Sequence, residues 1–344
     1  MENTKSPIRT AVVGLGRAGW LIHLADLKGD SRFRIVAGAD GDPERRTEME
    51  REHSCPTFPS LAAMLQAADP ELVVIATPTG CHFADAEVVL GSGRHCVLEK
   101  PMAANYEDSG KLANLARSSR GKLFVHHQQV FRSEFRHLRE VIDGGLLGRI
   151  FHIEVYWSRY SRRWDWQTLR KNGGGQLNNH GSHALSLLLP LMEGRVSKIT
   201  ADLRNIKDAG DAEDHAFLFL RTDRGMTASV TVTSVCALSA PRWRILGSRG
   251  TLQSDGLHST LRYYDPGALG SIKAIDGAAV GRAYQTEEIP WKQEVREVAA
   301  TPAAGSFYDN VYDVVRNGLE MMVSVDDALE VMRVIHLAHE SGRA

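Results

Sequence analysis

Two short stretches carry the side chains best suited to proton chemistry. The first is Glu99-Lys100-Pro101, which follows an apolar run. The second is Gly173-Gly174-Gly175-Gln176-Leu177-Asn178-Asn179-His180-Gly181-Ser182-His183. An ammonium such as Lys100 can stabilise a developing alkoxide and tune the proton transfer beside it. An imidazole such as His183 titrates near pH ~6.5 and can act as a general base. Alone, neither decides anything. A lysine after a strand is commonly a solvated charge, and a histidine entering the apolar run Ala184 to Leu189 can be a cap or a satisfied core residue. The pair gains meaning only if a scaffold brings both to one ligand, and the glycine run lets backbone lie close to such a ligand.

The scaffold begins at Arg9 to Asp40. An apolar run, Ala11-Val12-Val13, turns through Gly14-Leu15-Gly16-Arg17-Ala18-Gly19 into a helical pattern from Trp20 to about Lys28. A second strand pattern, Phe33 to Ala39, then ends on Asp40. Gly14 permits the tight turn, Gly16 admits a pyrophosphate to the backbone, and Gly19 lets helix and strand pack closely. The first helical turn offers N–H groups and a positive dipole end to the phosphates. Asp40, 21 residues past Gly19, stands where a carboxylate accepts both ribose hydroxyls of an adenosine. The stretch predicts a dinucleotide site, with NAD preferred because Asp40 repels a 2′-phosphate.

Strand and helix patterns then alternate to about residue 127. They include the continuous apolar run Leu72 to Ala76, helices started by Asp42-Pro43 and Ser60, and strands at Cys96 to Leu98 and Lys122 to Val125. This rhythm predicts a doubly wound parallel sheet with its ligands at the carboxyl ends of the strands. That rim gathers Gly14 to Gly19, Asp40, Thr77 to Thr79 and Glu99 to Pro101. After Phe131 the pattern changes to a helix at Ser133 to Ile142 and half-buried strands of period two. These fall at Phe151 to Trp157, Ser197 to Leu203, Ala216 to Leu220, Met226 to Val235, Trp243 to Gly247 and Thr251 to Gln253. A hairpin turn is expected at Gly247-Ser248-Arg249-Gly250, a long loop from Pro266 to Tyr284, and helices at Ala304 to Asn317 and Asp326 to Ser341. The expected architecture is α/β plus α+β: a cofactor domain over 1–128 and a mostly antiparallel sheet domain over 129–344.

Composition sets the class. With 344 residues, two domains are the natural expectation. A net charge of −1 gives no footprint for nucleic acid or anionic membrane, and no apolar run nears the ~18–20 residues of a membrane span. Met1 to Pro7 lacks the apolar core of a secretory signal. Cys55, Cys81, Cys96 and Cys236 are scattered, as expected of reduced thiols in the cytoplasm. His126, His127 and Gln128 are adjacent on a strand and point to alternate faces, so no metal site is expected.

The chain resembles the Gfo/Idh/MocA oxidoreductases, which include inositol, glucose and related sugar dehydrogenases. The resemblance rests on Gly14 to Gly19 with His23, Ala76-Thr77-Pro78 with His82, Glu99-Lys100-Pro101, and Gly173-Gly174-Gly175 through His183. It spans almost the whole length. It implies a Rossmann domain plus an open-faced sheet domain, a nicotinamide cofactor, alcohol oxidation on a sugar, polyol or sugar acid, and a homodimer or homotetramer. Carried over residue by residue, the cofactor would meet Gly14, Gly16, Arg17, Ala18, Gly19, Asp40, Thr77, Pro78, His82, Glu99 and Lys100. Catalysis would fall to Lys100 and His183, with Asn179 where the family usually has Asp; Ser186 stands where many relatives place a further acid.

Between strand and glycine run lies Arg159-Tyr160-Ser161-Arg162-Arg163-Trp164-Asp165-Trp166. Aromatic faces stack on sugar C–H surfaces while Arg and Asp bind hydroxyls or a carboxylate. The same residues also suit a surface loop with buried tryptophans. On the functional reading Tyr160, Arg163, Trp164, Asp165 and Trp166 join Lys100, Asn179 and His183 around the substrate, and the arginines hint at a uronate. A non-catalytic NAD-bound sensor, and NAD-dependent glycoside hydrolysis or elimination, are the alternatives to a dehydrogenase.

Overall fold

The computed structural model describes residues 6–277, 281, 284–300 and 303–342. The first half runs β1 (Ile8–Val13), a π-helical turn (Gly19–Leu24) continued by α1 (Ala25–Leu27), β2 (Phe33–Ala39), α2 (Pro43–His53), β3 (Thr57–Phe58) and α3 (Leu61–Ala67). It continues with β4 (Leu72–Ile75), α4 (His82–Gly91), β5 (His95–Leu98), α5 (Tyr106–Ser118) and β6 (Leu123–Val125). The local signals act as written in the sequence. The Asp42 carboxylate accepts from Glu44 N–H ahead of Pro43, and the Ser60 hydroxyl accepts from Ala63 N–H, each satisfying an otherwise orphaned donor. The strands pair in parallel in the order β3-β2-β1-β4-β5-β6. Every residue of β4 is fully buried, as a central strand covered on both faces requires.

After β6 come α6 (Ser133–Asp143), β7 (Ile150–Ser158), α7 (Ser182–Leu188), β8 (Val196–Arg204), β9 (His215–Thr222) and β10 (Thr227–Thr233). β11 (Trp243–Gly247), β12 (Gly250–Ser254), β13 (His258–Tyr263), β14 (Lys292–Glu297), α8 (Phe307–Tyr312) and α9 (Val325–Ser341) complete the described elements. The second sheet has eight strands in the order β14-β13-β12-β11-β7-β10-β9-β8. The hairpin closes where expected, with Gly247 opposite Gly250. Alternation is clean in β10, where Ala228, Val230 and Val232 are buried while Thr227, Ser229 and Thr231 are only half-covered.

The second sheet is mostly antiparallel, as expected, with one parallel pair. The central pair of this sheet, β7 with β10, is parallel, because the chain leaves β7 through the site loop and α7 and re-enters from the far edge. Strands β13 and β14 extend the sheet beyond the strands expected from the sequence. Within the loop expected from Pro266 to Tyr284, Pro266–Ala268 forms a short helical turn; residues 278–280, 282 and 283 lie outside the described residues. The helix expected over Ala304 to Asn317 begins at Phe307 and passes into a π-helical turn at Asp313–Asn317.

The tail returns to the first half. Tyr308 O–H lies 2.8 Å from His23 Nδ1, Arg32 pairs with Asp309 at 2.5 Å, and Arg316 pairs with Glu71. Helix α9 packs on α5, α7 and β8, so it touches both halves. Among the described residues no helix is long and apolar enough to cross a membrane.

Candidate active site

The turn after β1 is built for a close ligand. Gly14 has φ +87°, a left-handed conformation that a side chain would strain, and its N–H donates to Ala39 O at 2.8 Å. A Cβ on Gly19 would stand 1.9 Å from Gly14 O, whereas one on Gly16 would meet nothing nearer than Arg45 Nη1 at 3.6 Å. The turn is thus tight on its inner side and open at Gly16, the cradle a pyrophosphate needs. Asp40 closes it: its carboxylate accepts from Leu15 N–H at 2.7 Å and from Asp42 N–H at 2.9 Å, with Arg45 at 3.5 Å. These residues fit a dinucleotide: Arg17 and Ala18 would open the helix at its phosphates, and Asp40 would meet its ribose.

Two residues expected at the cofactor face inward instead. His82 is buried, its ring nitrogens 2.8 Å from Pro101 O and 3.0 Å from Thr77 O. It ties together the loops after β4 and β5 without an atom free for a ligand, while Thr77 donates to Asp85 at 2.8 Å and Pro78 stays in backbone turn geometry. The Glu99 side chain turns into the core. Its Oε1 accepts from His126 Nδ1 at 2.9 Å and His23 Nε2 at 3.2 Å, and its Oε2 from Lys100 N–H at 3.0 Å. Burial opposes the carboxylate, but His126 and His23 outweigh burial and hold it well below its ordinary range. With Nε2 donating to Glu99, His23 Nδ1 must accept from Tyr308 O–H. Among the described residues this is the group whose ligand atoms lie within 4.8 Å of one another, and hydrogen bonds already occupy those atoms.

Lys100 and the glycine-run residues meet. Lys100 Nζ donates to Asn179 Oδ1 at 2.8 Å and to Asn179 O at 3.0 Å, and Asn179 Nδ2 donates to Gln167 Oε1 at 3.2 Å. Asn179 therefore positions Lys100; no hydrogen bond joins it to His183 among the described residues. Burial lowers the Lys100 ammonium to about 8, with Arg17 and Arg163 adding to the effect and Glu99 opposing it. His183 is buried, stacks on Trp157 at 6.2 Å between ring centroids, and has Nδ1 without a partner. Burial and then Lys100 push it well below its ordinary range, so it is neutral at working pH. His127, on the opposite side of β6's end from His126, is pushed down to about 3 by burial and Lys100. The site is one amine poised near neutrality among neutral imidazoles.

The aromatic residues of the loop after β7 are largely solvent-facing. Trp164 is 82% exposed and Tyr160 60%, so the loop does not bury them. Arg163 grips Asp165 through two hydrogen bonds of 2.8 Å, and the Asp165 carboxylate also accepts from Gln167 N–H at 2.9 Å, starting the turn that carries Trp166.

Sequence reasoning missed Gln167, Trp157 and Glu213. Glu213 is buried, and its Oε1 accepts from Leu177 N–H at 3.1 Å, at the start of the π-helical turn (Leu177–Gly181) that leads into α7. Its carbonyl accepts from Gln176 N–H at 2.9 Å. Gly175 has φ +108°, and a Cβ there would stand 2.1 Å from that Oε1. The glycine run thus admits a buried acid that caps the helix bearing Asn179 and His183. The acidic pair Glu213-Asp214 before β9 was the available signal.

Comparison with known proteins agrees with this fold. Residues 8–127 match the oxidoreductase family's NAD-binding Rossmann fold, and residues 135–253 match the GFO/IDH/MocA C-terminal domain. An oxidoreductase subunit of Amycolatopsis mediterranei named for UDP-kanosamine synthesis is 33% identical over 65% of this chain and 67% of its own. The chain belongs to the GFO/IDH/MocA family. As a GFO/IDH/MocA protein it is an NAD-dependent oxidoreductase. It is 24% identical to the scyllo-inositol 2-dehydrogenase (NADP(+)) IolW of Bacillus subtilis over 98% of this chain and 94% of that one. The WlbA dehydrogenase of Bordetella pertussis, solved with NADH and UDP-GlcNAcA, superposes with a TM-score of 0.77 at 26% identity, covering 98% of this chain and 97% of the other.

Proposed function

We propose that this GFO/IDH/MocA enzyme oxidises a secondary hydroxyl of a sugar or polyol, with Lys100 as the proton acceptor. The observation that carries the reading is the double hold of Asn179 on Lys100 Nζ. A neutral amine has two N–H groups; with both given to Asn179, its lone pair is left for a substrate O–H. Bound NAD supplies the hydride acceptor at nicotinamide C4. Lys100 takes the hydroxyl proton, and its ammonium steadies the alkoxide. His183, neutral and fixed against Trp157, orients the hydroxyl. Trp164 and Tyr160 offer faces to the ring, and Arg163 and Asp165 offer polar edges. The test is NADH formation, followed by absorbance, over a panel of inositols, aldoses, glycosides and uronates. Product without net NADH would indicate hydrolysis or elimination, and binding without product a sensor.

NAD is expected to be preferred to NADP in steady-state kinetics, since the Asp40 carboxylate repels a 2′-phosphate. Arg45 lies beside it, and Arg46 is bound to Asp40 O and Gly41 O, so Asp40→Ser is expected to shift the preference toward NADP by about 10-fold or more. Unchanged selectivity would remove Asp40 from this role.

The reading extends to a cytoplasmic homodimer or homotetramer built on the outer face of the second sheet. That face carries Thr227, Ser229 and Thr231 beside the part-exposed Phe217 and Phe219, suited to packing against another sheet. Sedimentation at micromolar concentration is expected to give a mass of two or four chains, and Phe219→Glu is expected to lower it. A single-chain mass for the unaltered protein would count against this assembly.

A further inference from the structure

Asn179 holds Lys100 Nζ only while its side-chain amide faces one way. Oδ1 accepts from Nζ at 2.8 Å, and Nδ2, on the other side, donates to Gln167 Oε1 at 3.2 Å. An ammonium has three N–H groups and no lone pair, so the amide atom facing it must be the oxygen. That requirement lapses once Lys100 gives up its proton. A neutral amine also accepts, and an Asn179 amide turned end for end would donate Nδ2–H to the lone pair that the reaction needs. Another group must hold the amide in the reactive state. Among the described residues, Gln167 is the side chain besides Lys100 that bonds this amide.

Backbone contacts deliver Gln167 to that point. Its N–H donates to Asp165 Oδ1 at 2.9 Å, and its carbonyl accepts from Gly175 N–H at 2.9 Å. The neighbouring Thr168 is buried, and its carbonyl accepts from Asp211 N–H at 3.1 Å and Ala212 N–H at 3.0 Å. A Cβ on Gly174 would stand 2.3 Å from Gln167 O. The glycine run and the turn at Trp166–Thr168 therefore lie against each other with no room for a side chain between them. The backbone is fixed on both sides of the Gln167–Asn179 bond.

We infer that Gln167 is a positioning residue, which by accepting from Asn179 Nδ2 keeps Oδ1 on Lys100 and leaves the amine's lone pair open to the substrate hydroxyl. This rests on Lys100 being the proton acceptor, as proposed above. Of the charges that act on Lys100, Glu99 favours the ammonium and Arg17 and Arg163 oppose it. His127, His180 and His183, which feel its charge, are held neutral by burial first. Replacing Gln167 leaves all six in place, so a change in the titration of Lys100 reports the amide.

The first measurement needs no substrate. The Lys100 side chain is followed by NMR of the protein labelled with carbon-13 lysine, its signal being the one that Lys100→Arg removes. Gln167→Met keeps the length and loses the acceptor. The freed amide then withdraws an acceptor from the ammonium and offers a donor to the amine, so the midpoint falls by about 0.5 to 1 unit. On any sugar or polyol that yields NADH, the plateau rate falls by about 3- to 10-fold, the worth of one hydrogen bond. Gln167→Glu offers acceptors only, so it restores the plateau while its charge moves the midpoint up. NADH affinity and the circular dichroism spectrum are expected to stay unchanged in both. A loop that is merely damaged lowers the plateau and leaves the midpoint in place. A midpoint unmoved in Gln167→Met, or lowered in Gln167→Glu as well, overturns the inference. The two readings fail separately. If Lys100→Ala keeps the rise of turnover with pH, Lys100 is not the base, whatever Gln167 does to its amine. If that rise is lost while Gln167→Met leaves the midpoint unmoved, the base stands and the role of Gln167 falls.

Discussion

Lys100→Ala lowers turnover on a confirmed substrate by about 10²- to 10⁴-fold, while NAD affinity, read by NADH fluorescence titration, changes little. The expectation follows from the lowered ammonium, at about 8. Alcohol oxidation needs the neutral amine, so kcat/KM for oxidation rises with pH through that value. Carbonyl reduction needs the ammonium and falls through the same value. Asn179→Asp would place a carboxylate where the amide now holds Nζ, favouring the ammonium and moving both limbs to higher pH by about one unit. His183→Ala also depresses turnover, but its limb stays near that of the unaltered enzyme, because His183 does not titrate in the range. If instead the limb vanishes in His183→Ala and persists in Lys100→Ala, histidine is the base.

Glu213→Gln is expected to flatten the pH dependence of stability between about pH 4.5 and 7. Burial, reinforced by Asp214, raises the Glu213 carboxyl from an ordinary 4.5 to about 7, against the pull of its own backbone bonds and Arg170. Between those two values the folded protein holds a proton that the unfolded chain has lost, so stability falls as pH rises through the window. The gap amounts to about 3 kcal/mol. The replacement amide would keep an oxygen for Leu177 N–H without the charge, so denaturation midpoints at pH 5 and pH 8 should converge relative to the unaltered protein. Equal pH dependence in both proteins would mean that Glu213 is ionised in the fold. Glu213→Ala removes the cap as well and loses a further ~0.5–2 kcal/mol.

How far the sequence is legible depends on whether one residue or a whole neighbourhood sets the outcome. The parallel sheet was readable because β4 is apolar at every position and because Asp42, Pro43 and Ser60 mark helix starts by local chemistry. Strand β14, Lys-Gln-Glu-Val-Arg-Glu, was not. It is an edge strand with one partner and little to bury, and charged edges hide their strand character. The rim loops were readable, but which way a side chain turns on them was not, and His82 and Glu99 point behind the rim. Asn179 shows the subtlest gap. Four residues before His183, it would share a face with that residue in an α-helix. The π-helical turn at Leu177–Gly181 breaks this alignment and presents Asn179 to Lys100. Nothing in the local sequence announces a π-turn.

The hydrogen bond between His23 and Tyr308 joins residues 285 positions apart, and it has a consequence for synthesis on the ribosome. His23, Glu99 and His126 are made first, and the hydroxyl that completes their buried chain follows 285 residues after His23. Until α8 arrives, His23 Nδ1 has no partner and the apolar floor around Phe33 lacks its cover by Tyr308 and Tyr312. An unpaired buried acceptor is costly, so the nascent amino-terminal half waits in an incompletely closed form until α8 has been made. A chain truncated before α8 should therefore be cleaved by protease within its amino-terminal half, and a released chain that includes α8 and α9 should resist.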